Sequence, residues 1–174
     1  MTARLAVIVI VLASLIAGVG IWYLQIYAYY DEVTPDGTTD VQLTTLSGEV
    51  EPILYEDFRA IDADSSPIRF RACFTTPQSI PLLTETYEVF EDAEPLVAPG
   101  WFDCFDAEAI GAQLEAGEAV AFLGQANISW GVDRIVAVGP GGQGHVWHQL
   151  NDCGDKAYDG TPLGENCPPR PGTE

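Results

Sequence analysis

LAVIVIVLASLIAGVGIWYL, residues 5–24, contains no charge, amide or proline. As a helix rising ~1.5 Å per residue it spans roughly 30 Å, the thickness of a bilayer's hydrocarbon core. A core helix of a soluble domain carries a polar stripe, and this stretch has none on any face. Aromatic residues gather at its far end, with Trp22, Tyr23, Tyr27, Tyr29 and Tyr30, as expected of rings at the headgroup level. The chain then inverts in character. Asp31 and Glu32 open a region that holds all 26 acids.

Orientation follows from the flanks. Arg4 and the α-amino group precede the apolar run, Asp31, Glu32, Asp36 and Asp40 follow it, and no further base occurs before Arg59. The positive-inside rule puts the N-terminus in the cytoplasm and the rest of the chain outside. The rival reading is a cleaved secretory signal, with an apolar run of ~7–15 residues and a small-x-small exit. Here the run is longer, and Gln25-Ile26-Tyr27-Ala28-Tyr29 lacks that exit, so an uncleaved anchor is expected. Both readings export the remainder. Within the run, Ala13, Ala17 and Gly20 share a face beside Ser14 and Gly18; this is either a helix-docking seam or ordinary membrane-helix composition.

Beyond the anchor, roughly 125–140 residues remain, enough for one domain with its own core. Residues 31–174 hold 26 acids and six of the seven bases, a formal −20. Such a field repels nucleic acid and anionic lipid surfaces. It attracts a basic partner, or it serves only to keep an exported domain soluble. Cys73, Cys104, Cys153 and Cys167 all follow the anchor, and an even count in an oxidising compartment reads as two disulfides. Of the three connectivities, 73–104 with 153–167 is favoured; the second staples the tail to the end of the last strand, worth roughly 3 kcal/mol in the chain-entropy model. There is no Cys-x-x-Cys, which removes thioredoxin-like and c-type haem motifs.

Along the chain, residues 31–41 carry linker chemistry around Pro35-Asp36-Gly37. A short strand is expected near Val41–Leu46. Ile68–Phe74 alternates, with Ile68, Phe70, Ala72 and Phe74 on one face and Arg69, Arg71 and Cys73 on the other. With Arg59 upstream, Arg69 and Arg71 form the one basic cluster, either an anion or partner contact or a set paired with acids of the same sheet. A short helix starting at a proline is expected between Thr76 and Leu83, then a strand at Thr86–Phe90. Asp106 caps a helix that Gly117 ends. Ala119–Leu123 reads as a central strand. Asp133–Val138 and His145–Leu150 read as a hairpin joined by residues 139–144, whose glycines lack the Lys-Ser/Thr of a phosphate loop.

No catalytic constellation emerges. His145 and His148, three apart on a strand, face opposite sides and do not share a metal. No Gly-x-Ser-x-Gly elbow occurs, and Asp152, Asp155 and Asp159 do not have EF-hand spacing. No cofactor is expected, and an enzyme is the least favoured reading.

Ser-Ser-Pro-Ile-Arg-Phe-Arg-Ala-Cys-Phe (65–74), Leu-Thr-Glu-Thr-Tyr-Glu-Val (83–89), Ala-Pro-Gly-Trp-Phe-Asp-Cys-Phe (98–105), Gly-Glu-Ala-Val-Ala-Phe-Leu (117–123) and Val-Trp-His-Gln-Leu-Asn (146–151) stand with an anchor ending in Tyr-x-Tyr-Tyr. Together they resemble an uncharacterised family of single-span membrane proteins from marine and phototrophic alphaproteobacteria of the Rhodobacter type. The resemblance implies a bacterial inner-membrane protein with a periplasmic domain and no known activity. A histidine kinase reading finds no support, because there is neither room nor motif for a phosphoacceptor helix pair and an ATP-binding domain.

The expected architecture is α+β: an anchor at 1–30, a linker at 31–41, a domain at 42–152 and a disulfide-stapled tail at 153–174. The domain has an antiparallel sheet of about five strands and one or two short helices. The expected function is that of a non-enzymatic accessory protein, docking through its acidic surface to a membrane complex or a basic periplasmic partner such as a c-type cytochrome. The alternative is a small sensor or anion-binding domain using the Arg69/Arg71 face.

Overall fold

The computed structural model describes residues 3–165 and 167–170. It divides between Asp31 and Glu32 into two units. The first is helix α1, Ala3–Ile26, long and apolar enough to cross a membrane, with no buried residue. Within the apolar run the Ser14 hydroxyl donates to the Ile10 carbonyl at 2.9 Å, so the helix satisfies that polar group internally. Tyr27 packs on Trp22 and Tyr23 at its end.

The second unit contains β1 (Asp31–Val33), β2 (Gln42–Thr44), β3 (Val50–Pro52), β4 (Glu56–Asp62), β5 (Arg71–Thr75), α2 (Ile80–Thr86), α3 (Ala107–Glu115), β6 (Val120–Ser129), β7 (Val132–Val138) and β8 (Gln143–Leu150). Six strands form one sheet in the order β1-β4-β5-β8-β7-β6, and β2 and β3 form a separate antiparallel ribbon. The pairs from β4 through to β6 are antiparallel.

Strand alternation sorts the sheet's two faces. On one face Ala60, Ala72, Phe74, Phe122, Val136, Val138 and Val146 form the main core with Val41 and Leu43 of the ribbon, Leu83 of α2 and Tyr87. Gly144 stands opposite Phe74, and a Cβ there would fall 2.1 Å from the ring, so only glycine leaves room for it. The other face presents Arg71, Cys73, Ile135 and Trp147. Across it runs a strap, residues 91–106, held by the Cys73–Cys104 disulfide and by Phe105, whose ring meets Trp147 edge-on at 6.3 Å. The second disulfide joins Cys153 to Cys167. Trp130 Nε1 donates to the Pro168 carbonyl, and Arg170 lies over the Trp130 ring, so the described tail is tied down beyond its staple.

Several expectations held. Asp106 caps α3 by accepting from the Glu108 and Ala109 amides, and Gly117 follows at φ +69°. The helix near Pro81 begins at the Ser79 cap. The β7–β8 hairpin and the favoured disulfide pairing are present.

Others need correction. The main sheet has six strands, not about five, because β1 and β4 join it. Residues 31–41 are not a free linker: they include β1, the fully buried Val41 and Asp40, which accepts a hydrogen bond from the Tyr55 hydroxyl. Of the 68–74 stretch only residues 71–74 are strand, the start of β5. Thr86 ends α2, and the following residues make only isolated bridges, Thr45 with Tyr87 and Val89 with Phe122. Those bridges explain β6, which is apolar like a central strand yet stands at the sheet's end. The 88–90 segment covers its outer edge, with Phe90 N donating to Ala121 O and Leu123 N to Glu88 O. Part of the 153–174 tail, Asn166 and residues 171–174, lies outside the described residues.

Loop length predicts the relative weight of the two disulfides. Replacing Cys73 and Cys104 by Ala opens a 31-residue separation and should cost about 3–4 kcal/mol in urea unfolding; replacing Cys153 and Cys167 opens one of 14 and should cost about 3 kcal/mol or less. A larger loss from the second pair would contradict the strap's role.

Candidate functional site

The three arginines of the expected basic face are engaged in different ways. Arg71, 3% exposed, donates through Nε to Leu96 O at 2.7 Å, through Nη1 to Ile68 O and Phe70 O at 2.8 and 2.7 Å, and through Nη2 to Val97 O at 3.3 Å. Its guanidinium also lies over Phe105. It is a strut between β5 and the strap, with main-chain carbonyls taking up its donors. Arg59 is exposed, pairs with Asp103 at 3.2 Å and lies over Phe102. A pair that open to water contributes little. Arg69 is half-buried, outside any strand.

The histidines do face opposite sides of β8. His145 meets Phe105 on the strap side, and burial lowers its pKa, partly offset by a hydrogen bond to the Cys104 main chain. His148 stacks on Phe70 on the core side. Its Nε2 lies 3.0 Å from Arg134 Nε, and its Nδ1 lies 2.7 Å from Pro67 O. A guanidinium only donates, so Nε2 carries the lone pair and the Nδ1–H donates to the carbonyl. This histidine is neutral. Burial, then the Arg134 charge, push its pKa down to about 4.

The strap and the end of β8 enclose a different feature, a cleft of about 680 Å³. Its floor is Asp133, Gln149 and Asn151; Asp92, Glu94 and Leu96 of the strap form one wall, and Asp152 and Asp155 the other. Each wall is fixed by the floor. Gln149 donates to Asp92 O and accepts from Glu94 N and Trp147 Nε1, which seats the strap. Asn151 Oδ1 accepts from the Cys153 and Gly154 amides, which forms the opposite turn. That turn packs on the β6–β7 turn through two glycines: a Cβ on Gly131 or Gly154 would fall 2.6 or 2.0 Å from the other's backbone. Asp133, 7% exposed, accepts through Oδ1 from Asn127 N at 2.8 Å and from Asn151 Nδ2 at 2.7 Å. Among the described residues no group of three or more His, Cys, Asp or Glu is placed to hold a metal ion.

Sequence reasoning did not single out this cleft. Its acids come from three distant segments, and in a chain with acids throughout, nothing marked Asp92, Glu94 or Asp133. The polar run Gln149-Leu-Asn-Asp152 at the end of a strand was the one available signal.

A family of unknown function (DUF6446) matches residues 41–168, most of the chain. The chain belongs to that family. No curated protein and no solved structure matches it. The DUF6446 match takes in every element from β2 to the Cys153–Cys167 staple and all the cleft residues, while α1 and β1 precede it.

His148 gives a pH dependence with a definite sign. Unfolded, it takes its proton near pH 6.5; folded, only near 4. The unfolded state therefore gains protons first as pH falls, and stability drops between those values by roughly 3 kcal/mol, levelling off below about 4. In urea unfolding at pH 7 and 4.5, H148Q should lose less stability than the native chain by roughly 2–3 kcal/mol. Equal losses would show that His148 is not held neutral.

Proposed function

We propose that this DUF6446 protein is a membrane-anchored interaction protein whose acidic domain, on the far side of a bacterial inner membrane, docks to a basic partner or a membrane complex. α1 serves as the anchor, with Arg4 on the cytoplasmic side. Two disulfides support an oxidising compartment for the domain. The observation that carries the reading is the charge balance: residues 31–174 hold 26 acids against six bases, a formal −20, and the Arg59–Asp103 pair lies exposed at the surface. That leaves the field of the acids directed outward, where it steers association with positive surfaces.

The alternative, an anion-binding sensor on the Arg69/Arg71 face, has less support. Arg71 is committed to four main-chain carbonyls and is nearly sealed from solvent. A catalytic reading draws no support from His145 and His148, which are separated by the sheet.

The test is purification of the tagged full-length chain from detergent-solubilised membranes. At about 50 mM salt a basic protein should be retained in stoichiometric amount, and it should be released at about 500 mM, where screening shortens the reach of exposed charges to a few ångströms. Retention of nothing at low salt, or of a partner indifferent to salt, would contradict the proposal.

A further inference from the structure

Asp133 is more than nine-tenths buried and has no cationic partner among the described residues. Among the described residues both hydrogen bonds it accepts fall on Oδ1, and no donor reaches Oδ2. Nor is Oδ2 sealed away: among the described residues the one buried side-chain oxygen without a hydrogen bond belongs to Gln78. Arg134, next in the chain, points to the opposite face of the sheet, towards Phe70 and His148. A largely desolvated carboxylate is most stable beside a cation, and the open oxygen of this one, Oδ2, can take a further hydrogen bond from the cleft. It lies at the floor of a cleft whose walls carry Asp92, Glu94, Asp152 and Asp155.

We propose that this cleft is the docking pocket for one basic side chain, a lysine ammonium or arginine guanidinium projecting from the partner protein. The inference rests on the docking reading above and assigns it a place. The cleft suits an extended cation carrying several donors. Asp133 Oδ2 offers a charged acceptor at the floor, the walls supply the attracting field, and Ile68, Phe90, Leu96 and Leu150 offer apolar surface to the methylene stem. A bare divalent ion fits less well, since no three carboxylates converge closely enough to ligate it. Gln149 of β8, bonded to the strap, and Asn151, bonded to the turn, hold the pocket open before the partner arrives, so little ordering is required on binding.

The experiment titrates the full-length chain in detergent micelles with Nα-acetyl-lysine methylamide and Nα-acetyl-arginine methylamide, followed by backbone amide NMR. Saturable shifts should centre on Glu94, Gln149 and Asn151, with affinity on the order of millimolar for so small a probe. The variant D133N keeps an oxygen for the Asn127 and Asn151 donors and should weaken binding about tenfold or more. If D133N does not fold, the wall variant D92N/E94Q must weaken binding severalfold with Asp133 intact. Equal shifts with uncharged Nα-acetyl-norleucine methylamide, shifts spread over distant acids such as Glu115, tighter binding of calcium chloride at the same amides, or unchanged affinity in the variants would each overturn the pocket. In the co-purification, D133N should release the partner at lower salt than the native chain. If the native chain retains a salt-sensitive partner and D133N retains it identically, the pocket fails while acidic docking stands. If the probes bind but no partner is retained, the docking reading fails and the pocket stands as a cation site.

Discussion

Strand β5 must be buried on both sides, and one of its sides carries an arginine. Ala72 and Phe74 satisfy the core face without difficulty, but Arg71 on the other brings a guanidinium to a place almost without water. Left without acceptors such a charge costs several kcal/mol. The carbonyls of Ile68, Phe70, Leu96 and Val97 offset that cost, and two of them come from a segment 25 residues along the chain. The strap therefore has to lie across β5. Cys73, two residues on and facing the same way, fixes it there covalently through Cys104.

The same economy of positive charge explains the surface. This chain has few bases, and several serve the fold itself. Arg71 supports the strap, Arg134 sits over Phe70 beside a neutral His148, Arg170 covers Trp130, and Arg59 is paired with Asp103. Acids, by contrast, are mostly on the outside, with Asp133 the buried exception. The result is an unbalanced exterior field and one unneutralised carboxylate at the foot of a cleft. Both underlie the docking proposal.

Much of the fold was legible because each signal was local. A charge-free run marked α1, an Asp cap and a following glycine bounded α3, and two short runs joined by a glycine-rich turn gave β7 and β8. Cysteine spacing favoured the pairing that formed. What could not be read were features made by distant segments. β4 hides its inward Phe58 and Ala60 among Glu56, Asp57, Arg59 and Asp62, and a bulge near Asp57, at φ +53°, interrupts its register. β6 looked central because its edge is covered by residues that are not themselves strand. Arg71 read as either an anion contact or a partner of acids on the same sheet, because its carbonyl partners lie on a loop without pattern. The cleft depends on three such segments meeting, and on two glycines, Gly131 and Gly154, that allow the turns to touch.

The central claim is that Arg71 holds the strap to the sheet's outer face. Hydrogen exchange, read by mass spectrometry on R71Q with both disulfides intact, addresses it directly. Faster exchange confined to residues 91–103, with β7 and β8 still protected, is the predicted result. Unchanged protection of the strap would contradict the account, because the segment would then be held by Cys104 and Phe105 alone.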